Sequence, residues 1–331
     1  MARETIILTR KDIGSRIDIK AAIPAIEHAM GEFERGNDFL PPKAIYPLPI
    51  PGTSGGMAAC ITGYTQAADL LSMKVGQERA DNLEWGLPTT NSWIAAFEPR
   101  TGELLMICDG TLPTMYRTGA AAAVSAKHLS RPDSAALAVI GAGQLGRQCL
   151  RAVSSVRPFS RIYLHDLRRE AAEQVSRDLA GEAPAPIQVA EAEEACREAD
   201  VIVTATTSRR PIVRSHWVRP GTHLCCMGSD LAEKIECEME LMPRCRLFAD
   251  FVEHALLRGE ASQAVEAGIL GQDCYAGSLG QVINGDVAGR TGRDQITLYD
   301  GVGIGIQDTT IARTIFQQAR DQDLGVHVAF S

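Results

Sequence analysis

The sequence has 331 residues, which is enough for two domains that each bury a core of their own. Hydrophobic residues make up 45% and charged residues 22%, and the formal net charge of -8 provides no basic surface for nucleic acid or an anionic membrane. No stretch approaches the roughly 20 apolar residues of a membrane span, and the first residues lack the apolar core of a signal peptide. We therefore expect a cytoplasmic protein that binds neither nucleic acid nor membrane.

The nine cysteines do not indicate a metal site or a set of disulfides. Several lie in apolar, strand-like runs, and the four that are closest together lack the paired C-x-x-C spacing of a zinc site: Cys225, Cys226, Cys237 and Cys245. We expect buried free thiols and no structural metal.

The first part of the chain predicts an α+β domain. Apolar residues recur at helical spacing between Asp18 and Gly36, and prolines soon afterwards break that helix. Short apolar runs separated by turn residues then follow, at 57–62, 70–75, 91–97 and 104–108. Such runs predict a mostly antiparallel sheet.

An alanine-rich segment, 118–129, predicts a strong helix that joins this domain to the next. Arg117 precedes it, at a predicted helix start where a positive charge opposes the helix dipole and a bound anion would remove the conflict. Beyond it, β-branched runs alternate with helical segments, which indicates a doubly wound parallel sheet. The predicted strands are 137–140, 161–165, 201–204, 223–227, 246–249 and 295–299, and a last helix is predicted over 309–323.

The most specific local motif begins where the first of these strands ends. Gly141, Gly143 and Gly146 have the G-x-G-x-x-G spacing of a strand, tight turn and helix that hold a dinucleotide pyrophosphate, with Gln144 and Leu145 inside the motif. Free N–H groups at the helix start would attract the phosphates.

Asp166 follows the second strand, about 25 residues after the first glycine, where an acid binds the adenosine ribose. Its carboxylate would repel a 2′-phosphate, which favours NAD over NADP. Arg168 and Arg169 lie close enough to weaken this preference, because arginine accommodates the phosphate.

Three charged residues stand at predicted element ends. Lys74 ends an apolar run, and Asp230 follows a predicted strand of the parallel sheet, at the edge where ligands of open α/β sheets bind. From position alone, Lys74 and Arg117 could equally be solvated, and Asp230 could be a helix N-cap.

Five segments resemble the ornithine cyclodeaminase/mu-crystallin family: GLPTTNSWIAAFEPRTGELL, MYRTGAAAAVSAKHL, IGAGQLGRQ, HLCCMGSDLAEKIECE and ITLYDGVGIGIQD. The similarity runs from about residue 41 to residue 325, with the motifs in the family's order. It implies a Rossmann domain at 126–308, and a substrate-binding and dimerisation domain at 1–125 that the C-terminal helix, within 309–331, completes. It also implies a homodimer formed largely through the N-terminal sheet.

The resemblance implies roles for the three charged residues. Lys74 and Arg117 match the family's lysine and arginine, which hold the carboxylate of an amino or imino acid, and Lys74 is expected to act in catalysis as well. Asp230 matches an aspartate in a G-x-D string of the catalytic members. It would hold the substrate nitrogen and exchange protons with it or with water.

Four further residues match the family's cofactor site. Thr206 and Thr207 match a string beside the adenine and ribose, and Val302 and Gly303 match the loop beneath the nicotinamide. The implied cofactor is NAD.

Two departures from the family pattern leave the substrate open. Lys43 stands where many relatives have an arginine, and residues 75–82 replace the string V-N-x-H-P-x-N, so that only Asn82 clearly survives. This loop should border the substrate. Arg79 within it is a candidate partner for a second, distal carboxylate, or else a solvated loop arginine.

We expect an NAD(H)-dependent amino-acid dehydrogenase or imine reductase that interconverts a small imino acid and its amino acid. If Arg79 and Lys43 face the pocket, a dicarboxylic imine such as iminosuccinate, reduced to aspartate, becomes attractive. One alternative is an ornithine cyclodeaminase-type ammonia lyase that recycles NAD internally, with Glu78 and Asp81 for a terminal amine. The other is a non-catalytic, mu-crystallin-like binding protein, against which Asp230 argues.

Overall fold

The structure is a computed structural model that describes residues 4–53 and 55–329. Its strands are β1 (Glu4–Leu8), β2 (Ala44–Leu48), β3 (Gly56–Thr65), β4 (Leu70–Glu78), β5 (Thr90–Phe97), β6 (Leu104–Asp109), β7 (Ala136–Ile140), β8 (Arg161–His165), β9 (Ile187–Val189), β10 (Val201–Thr204), β11 (Arg209–Val213), β12 (His223–Cys226), β13 (Ile235–Cys237), β14 (Cys245–Ala249), β15 (Tyr275–Ser278), β16 (Ile296–Asp300) and β17 (Val326–Ala329). Its α-helices are α1 (Arg10–Ile13), α2 (Ile19–Glu34), α3 (Thr111–Leu129), α4 (Gln144–Ser154), α5 (Arg169–Asp178), α6 (Ala192–Glu198), α7 (Val252–Arg258), α8 (Ser262–Glu266), α9 (Leu279–Asn284) and α10 (Gly305–Gln322).

The chain divides into two compact units. The first combines the chain up to Arg117 with the chain from Ile304 onward, and the second runs from Thr118 to Gly303. We predicted the two passages after residues 125 and 308. The first passage lies inside α3, one continuous helix, so no loop marks it in the sequence. That the first unit binds the substrate and forms the dimer stays a prediction.

The first unit is built on a sheet in the order β17-β1-β6-β5-β4-β3-β2. β1 and β6 are parallel and the other neighbours are antiparallel, which confirms the mostly antiparallel sheet. α10 packs across β3, β4 and β5, and α2 packs against α10. The predicted first helix is confirmed as α2, and Asp18 caps it by accepting a hydrogen bond from the Lys20 N–H at 2.9 Å.

Side chains alternate between the two faces of this sheet along β4. Ser72 and Lys74 are buried, whereas Met73 is 39% and Val75 44% exposed. Trp93 on β5 lies directly opposite Val75 and is 51% exposed. We call the surface formed by Met73, Val75 and Trp93 the open face. Lys74 lies on the other face of the sheet.

The start of α10 lies directly on β3. A Cβ atom on Gly305 would lie 2.2 Å from the carbonyl oxygen of Thr62, and one on Gly63 would lie 2.4 Å from the carbonyl carbon of Gly305. The two glycines therefore allow the helix and the strand to touch. This contact places the start of α10 beside β4, where the hydroxyl groups of Thr309 and Ser72 form a hydrogen bond of 2.7 Å.

The second unit is a doubly wound parallel sheet in the order β15-β14-β16-β12-β10-β7-β8-β9. Every neighbouring pair in it is parallel. All six predicted strands belong to this sheet, which confirms the Rossmann-type fold. Its edge strands, β9 and β15, were not predicted, because β9 has only three residues and β15, with the sequence YAGS, lacks the β-branched run that marks the other strands.

Two helix starts differ from those predicted. α3 begins at Thr111, so Arg117 lies inside the helix, and the argument that its charge opposes the helix dipole was wrong. Pro113 is compatible with this earlier start, because proline is tolerated in the first turn of a helix. α10 begins at Gly305, four residues before the predicted start. Among the described residues, no helix is long and apolar enough to cross a membrane.

Candidate functional site

Lys74, Arg117 and Asp308 form a buried ionic cluster in the first unit. Lys74 Nζ lies 2.9 Å from Asp308 Oδ1 and 2.8 Å from Oδ2, and Arg117 Nε donates to Oδ1 at 3.1 Å. The side chain of Lys74 is only 6% exposed, that of Arg117 9% and that of Asp308 1%. Two cations thus share one carboxylate away from water, which leaves one positive charge uncompensated within the cluster.

Neighbouring polar groups orient the two cations. Lys74 Nζ also donates to the Thr114 hydroxyl at 3.3 Å. Arg117 donates from one terminal nitrogen to Gln307 Oε1 at 3.1 Å. Gln307 and Asp308 are adjacent in the first turn of α10, so the contact between this helix and β3 determines where both acceptors lie.

Burial changes how the cluster titrates. It lowers the pKa of Lys74 to about 8 because the ammonium loses its hydration; the charge of Asp308 opposes this shift, and that of Arg117 adds to it. Burial also works against ionisation of Asp308, but Arg117 and Lys74 together hold the pKa of Asp308 below its usual value. The carboxylate therefore stays ionised, while Lys74 can exchange a proton close to neutral pH.

Lys43 precedes β2 and is half-buried. Its positive charge helps to lower the pKa of both Lys74 and Asp308. The structure thus brings Lys43 into the electrostatic environment of the cluster, as expected of a residue that replaces a family arginine.

Arg79 follows β4 and forms hydrogen bonds that stabilise the end of that strand. It donates to the carbonyl oxygens of Met57 at 3.1 Å and Glu78 at 2.8 Å, and to Gln77 Oε1 at 3.1 Å. Gln77 continues the alternation of the open face, away from Lys74. These contacts give Arg79 a structural role and do not bring it together with the ionic cluster.

Asn82 shapes the loop between β4 and β5. It is buried, and its side-chain amide donates to the Pro88 carbonyl oxygen at 2.7 Å. The backbone carbonyl oxygen of Asn82 accepts a hydrogen bond from the Leu87 N–H at 2.8 Å. Both bonds close the loop on itself. A direct contact between Asn82 and substrate stays a prediction.

The glycine motif forms the turn between β7 and α4. Gly141 has a φ of +112°, and a Cβ atom there would lie 2.5 Å from the Ala205 carbonyl oxygen. A Cβ on Gly146 would lie 1.8 Å from the Gly141 carbonyl oxygen, so the strand and helix pack against each other only because both residues are glycine.

Gly143 differs from these two glycines because space is open in front of it. A Cβ atom there would meet nothing within 4 Å. Gly143 is the N-cap of α4, and among the residues that the structure describes no side chain caps the N–H groups of this helix, which continues through Gln144 and Leu145. An open cradle with uncapped N–H groups fits a pyrophosphate.

Asp166 lies beside the same turn. Its Oδ2 accepts from the Ala142 N–H at 2.7 Å, and its Oδ1 accepts from the Arg168 N–H at 2.9 Å. Arg169 is turned toward Glu173, with Nε 3.2 Å from the carboxylate oxygen. The charge of Arg169 is thus partly offset by a neighbouring carboxylate, which reduces its value for holding a 2′-phosphate.

Thr206 and Thr207 follow β10. Thr206 donates from its N–H and its hydroxyl to Glu236 Oε1, at 2.7 Å and 2.8 Å, whereas Thr207 is exposed. Val302 and Gly303 follow β16 in the same unit; Val302 is buried, and the Gly303 N–H donates to a carboxylate oxygen of Asp250 at 2.6 Å. Both pairs lie at the carboxyl edge of the parallel sheet, as their predicted role requires.

Asp230 lies in the loop that connects β12 to β13, so it does not cap a helix. Its Oδ1 accepts a hydrogen bond from Lys234 Nζ at 2.9 Å, and its side chain is 45% exposed. The carboxylate is therefore paired with Lys234 and open to solvent. A role in proton exchange stays a prediction.

A sequence model of the ornithine cyclodeaminase/mu-crystallin family matches residues 3–323. The chain belongs to the ornithine cyclodeaminase/mu-crystallin family. Alanine dehydrogenase of Archaeoglobus fulgidus is 32% identical over 99% of each chain, and iminosuccinate reductase of Paracoccus denitrificans is 30% identical over 98% of this chain and 99% of the relative. The solved structure of an archaeal alanine dehydrogenase dimer with bound NAD matches with a TM-score of 0.93 at 31% identity, covering 99% of this chain and 100% of that one.

In this family member, sequence reasoning missed Asp308, Gln307 and Glu236. Asp308 and Gln307 end the segment ITLYDGVGIGIQD, and Glu236 lies in the segment HLCCMGSDLAEKIECE, so each stood inside a string that we quoted without assigning the residue a role. For Gln307 and Asp308 the available signal was a polar side chain directly after an apolar stretch, whereas Glu236 stands among charged residues and gave no such signal. Such a side chain is costly to bury without a partner.

Proposed function

We propose that this family member is an NAD(H)-dependent oxidoreductase that interconverts a small imino acid and its amino acid. The ionic cluster of Lys74, Arg117 and Asp308 carries the proposal, because its uncompensated positive charge would be balanced by a substrate carboxylate. An alanine dehydrogenase and an iminosuccinate reductase at 32% and 30% identity support it.

The chain's own residues provide binding and proton exchange. Arg117 and Lys74 hold the carboxylate of the substrate, with Asp308 and Gln307 keeping Arg117 in place. Lys74 binds or releases a proton at Nζ near its pKa of about 8. Asp230 exchanges protons with the substrate nitrogen or with water.

The second unit holds the cofactor. The uncapped start of α4 and the open space before Gly143 receive the pyrophosphate, and Asp166 accepts hydrogen bonds from the adenosine ribose. When bound, NAD accepts or supplies the hydride, and the protein contributes positioning and electrostatics.

Within the class of small imino acids, one specific candidate substrate is a dicarboxylic imine such as iminosuccinate. Lys43 adds a further positive charge that acts on both Lys74 and Asp308, so it is better placed for a second carboxylate than Arg79 is. The Lys43→Met variant would then raise KM for the imine of oxaloacetate far more than KM for the imine of pyruvate. An equal rise for both would leave Lys43 as a general electrostatic residue and exclude this assignment.

The deciding experiment measures NADH oxidation with ammonia or methylamine against a panel of 2-oxo acids that includes pyruvate and oxaloacetate, alongside ornithine and lysine. We expect net NADH consumption with at least one oxo acid. Cyclic product from ornithine or lysine without net NADH consumption would indicate a cyclodeaminase. Tight NADH binding without any turnover would indicate a binding protein.

We also propose that the chain forms a homodimer through the open face. Met73, Val75 and Trp93 expose apolar surface at the middle of a sheet, and such patches are typical of subunit interfaces. The solved archaeal relative is a dimer.

A further inference from the structure

Glu236 is a fully buried carboxylate on β13 of the second unit. Its side chain accepts four hydrogen bonds. Oε1 accepts from the backbone N–H and the hydroxyl of Thr206, at 2.7 Å and 2.8 Å. Oε2 accepts from the Thr204 hydroxyl at 2.6 Å and from the Gly228 N–H at 2.9 Å. Each oxygen thus receives one backbone N–H and one hydroxyl.

These donors come from two different loops. Thr204 ends β10 and Thr206 lies in the loop after it, whereas Gly228 lies in the loop after β12, two residues before Asp230. β10 and β12 are parallel neighbours in the sheet. One carboxylate therefore joins two loops at the edge of the sheet where ligands of open α/β folds bind.

The surroundings of Glu236 are built to receive its carboxylate. A Cβ atom on Gly228 would lie 2.7 Å from the carboxyl carbon of Glu236, so a larger residue at 228 would push the carboxylate away. Glu260 Oε1 accepts from the backbone N–H groups of Glu236 at 2.8 Å and Cys237 at 2.6 Å, which holds β13 in place. Burial raises the pKa of both carboxyl groups; the four hydrogen bonds that Glu236 accepts oppose this shift at Glu236, whereas the charge of Glu236 adds to it at Glu260, so Glu260 is the first of the two to take up a proton.

We propose that Glu236 is a positioning residue for NAD binding, because it joins the loop of Thr206 to the loop that carries Gly228 and Asp230. This inference rests on the proposed function, in which the second unit holds the cofactor. Glu236 acts through the loops, so its loss changes cofactor affinity without removing a group that touches the cofactor.

The Glu236→Gln variant tests this role with almost no change in shape. The threonine hydroxyl groups can rotate to suit an amide, but a backbone N–H can only donate. In either orientation the new NH2 group faces one backbone N–H, that of Thr206 or that of Gly228, so one of the two loops loses its backbone hydrogen bond to residue 236. Glu260 provides the matched control, because a single oxygen accepts both of its N–H groups and Glu260→Gln keeps both bonds.

The measurement is the Kd of NADH by fluorescence titration, without substrate, for the wild type and both variants, well below the Tm of each. We expect E236Q to bind NADH about tenfold more weakly and E260Q to stay within about twofold of the wild type. During turnover, E236Q should raise KM for NADH more than KM for the carboxylate substrate, whose carboxylate Lys74 and Arg117 of the first unit hold in the proposed function.

Unchanged NADH affinity in E236Q, or equal weakening in E236Q and E260Q, would overturn the inference while leaving the proposed function intact. A wild-type chain that bound no NADH would overturn both. If E236Q fails to fold, Thr204→Val removes one hydroxyl donor to Oε2 and should raise the Kd about threefold. Wild-type affinity in T204V would then count against the role of Glu236.

Discussion

Lys74 is the residue whose charge changes within the working pH range. Its pKa in the folded chain is about 8, below the ordinary value of 10.5, so its positive charge is complete only well below that pH and is lost as the pH rises through it. A substrate carboxylate that depends on this charge should bind more weakly in alkali. We expect the Kd of a 2-oxo acid such as pyruvate, measured calorimetrically with NAD present, to rise about tenfold between pH 7 and pH 9.5.

Two variants separate this effect from general alkaline damage. Asp308→Asn removes the charge that raises the pKa of Lys74, so the loss of affinity should begin at a lower pH than in the wild type. Lys74→Met should bind the oxo acid weakly at every pH, with no alkaline decline. A wild-type Kd that stays constant from pH 6.5 to 9.5 would show that Lys74 does not hold the carboxylate.

At the scale of elements, the junction of β7 and α4 tests the cofactor site without disturbing the fold. Gly143 has φ -73° and ψ -174°, which alanine adopts readily, and a Cβ atom there would meet nothing within 4 Å. Gly143→Ala should therefore keep the wild-type Tm but fill the space proposed for the pyrophosphate. We expect its Kd for NADH, from fluorescence titration, to rise by about tenfold or more.

Gly181→Ala is the matched control, because a Cβ atom at Gly181 would also meet nothing within 4 Å. It follows α5 and lies outside the glycine motif, so NADH affinity should not change. Wild-type affinity in both variants would mean that the start of α4 does not bind the cofactor.

At the scale of the whole molecule, the open face predicts the oligomeric state. Trp93→Glu places a charge at the centre of the apolar surface formed with Met73 and Val75, which would have to be buried unpaired in a dimer. We expect sedimentation velocity to show a dimer for the wild type and a shift toward monomer for W93E.

Trp85→Glu provides a control of the same chemistry. Trp85 is 61% exposed and lies in a short 3-10 helix between β4 and β5, outside the open face. It should remain dimeric at the same concentration. If W93E and W85E both stay dimeric, the subunits meet through another surface.

Local patterns in the sequence predicted the central strands of both sheets and the helices that pack on them most directly, but not the short peripheral elements. The helix after Asp18 and the six strands around the glycine motif follow from periodicity, because each strand or helix buries its own apolar residues at a fixed spacing. The glycine motif follows from backbone geometry, since Gly141 and Gly146 stand where a Cβ atom would collide with the backbone. The starts of α3 and α10 were missed because a first turn carries few periodic apolar residues.

By itself, the sequence determined the parallel sheet, the dinucleotide turn and, through its resemblance to a family, the two cations of the first unit. The tertiary structure decided which partners those residues meet. Lys74 and Asp308 are 234 residues apart in the chain, and Glu236 lies 30 residues from Thr206, so no local spacing predicts either contact. Periodicity depends only on how one helix or strand buries its own side chains. A carboxylate that binds residues of two elements depends on where the fold places a segment that is distant in the sequence.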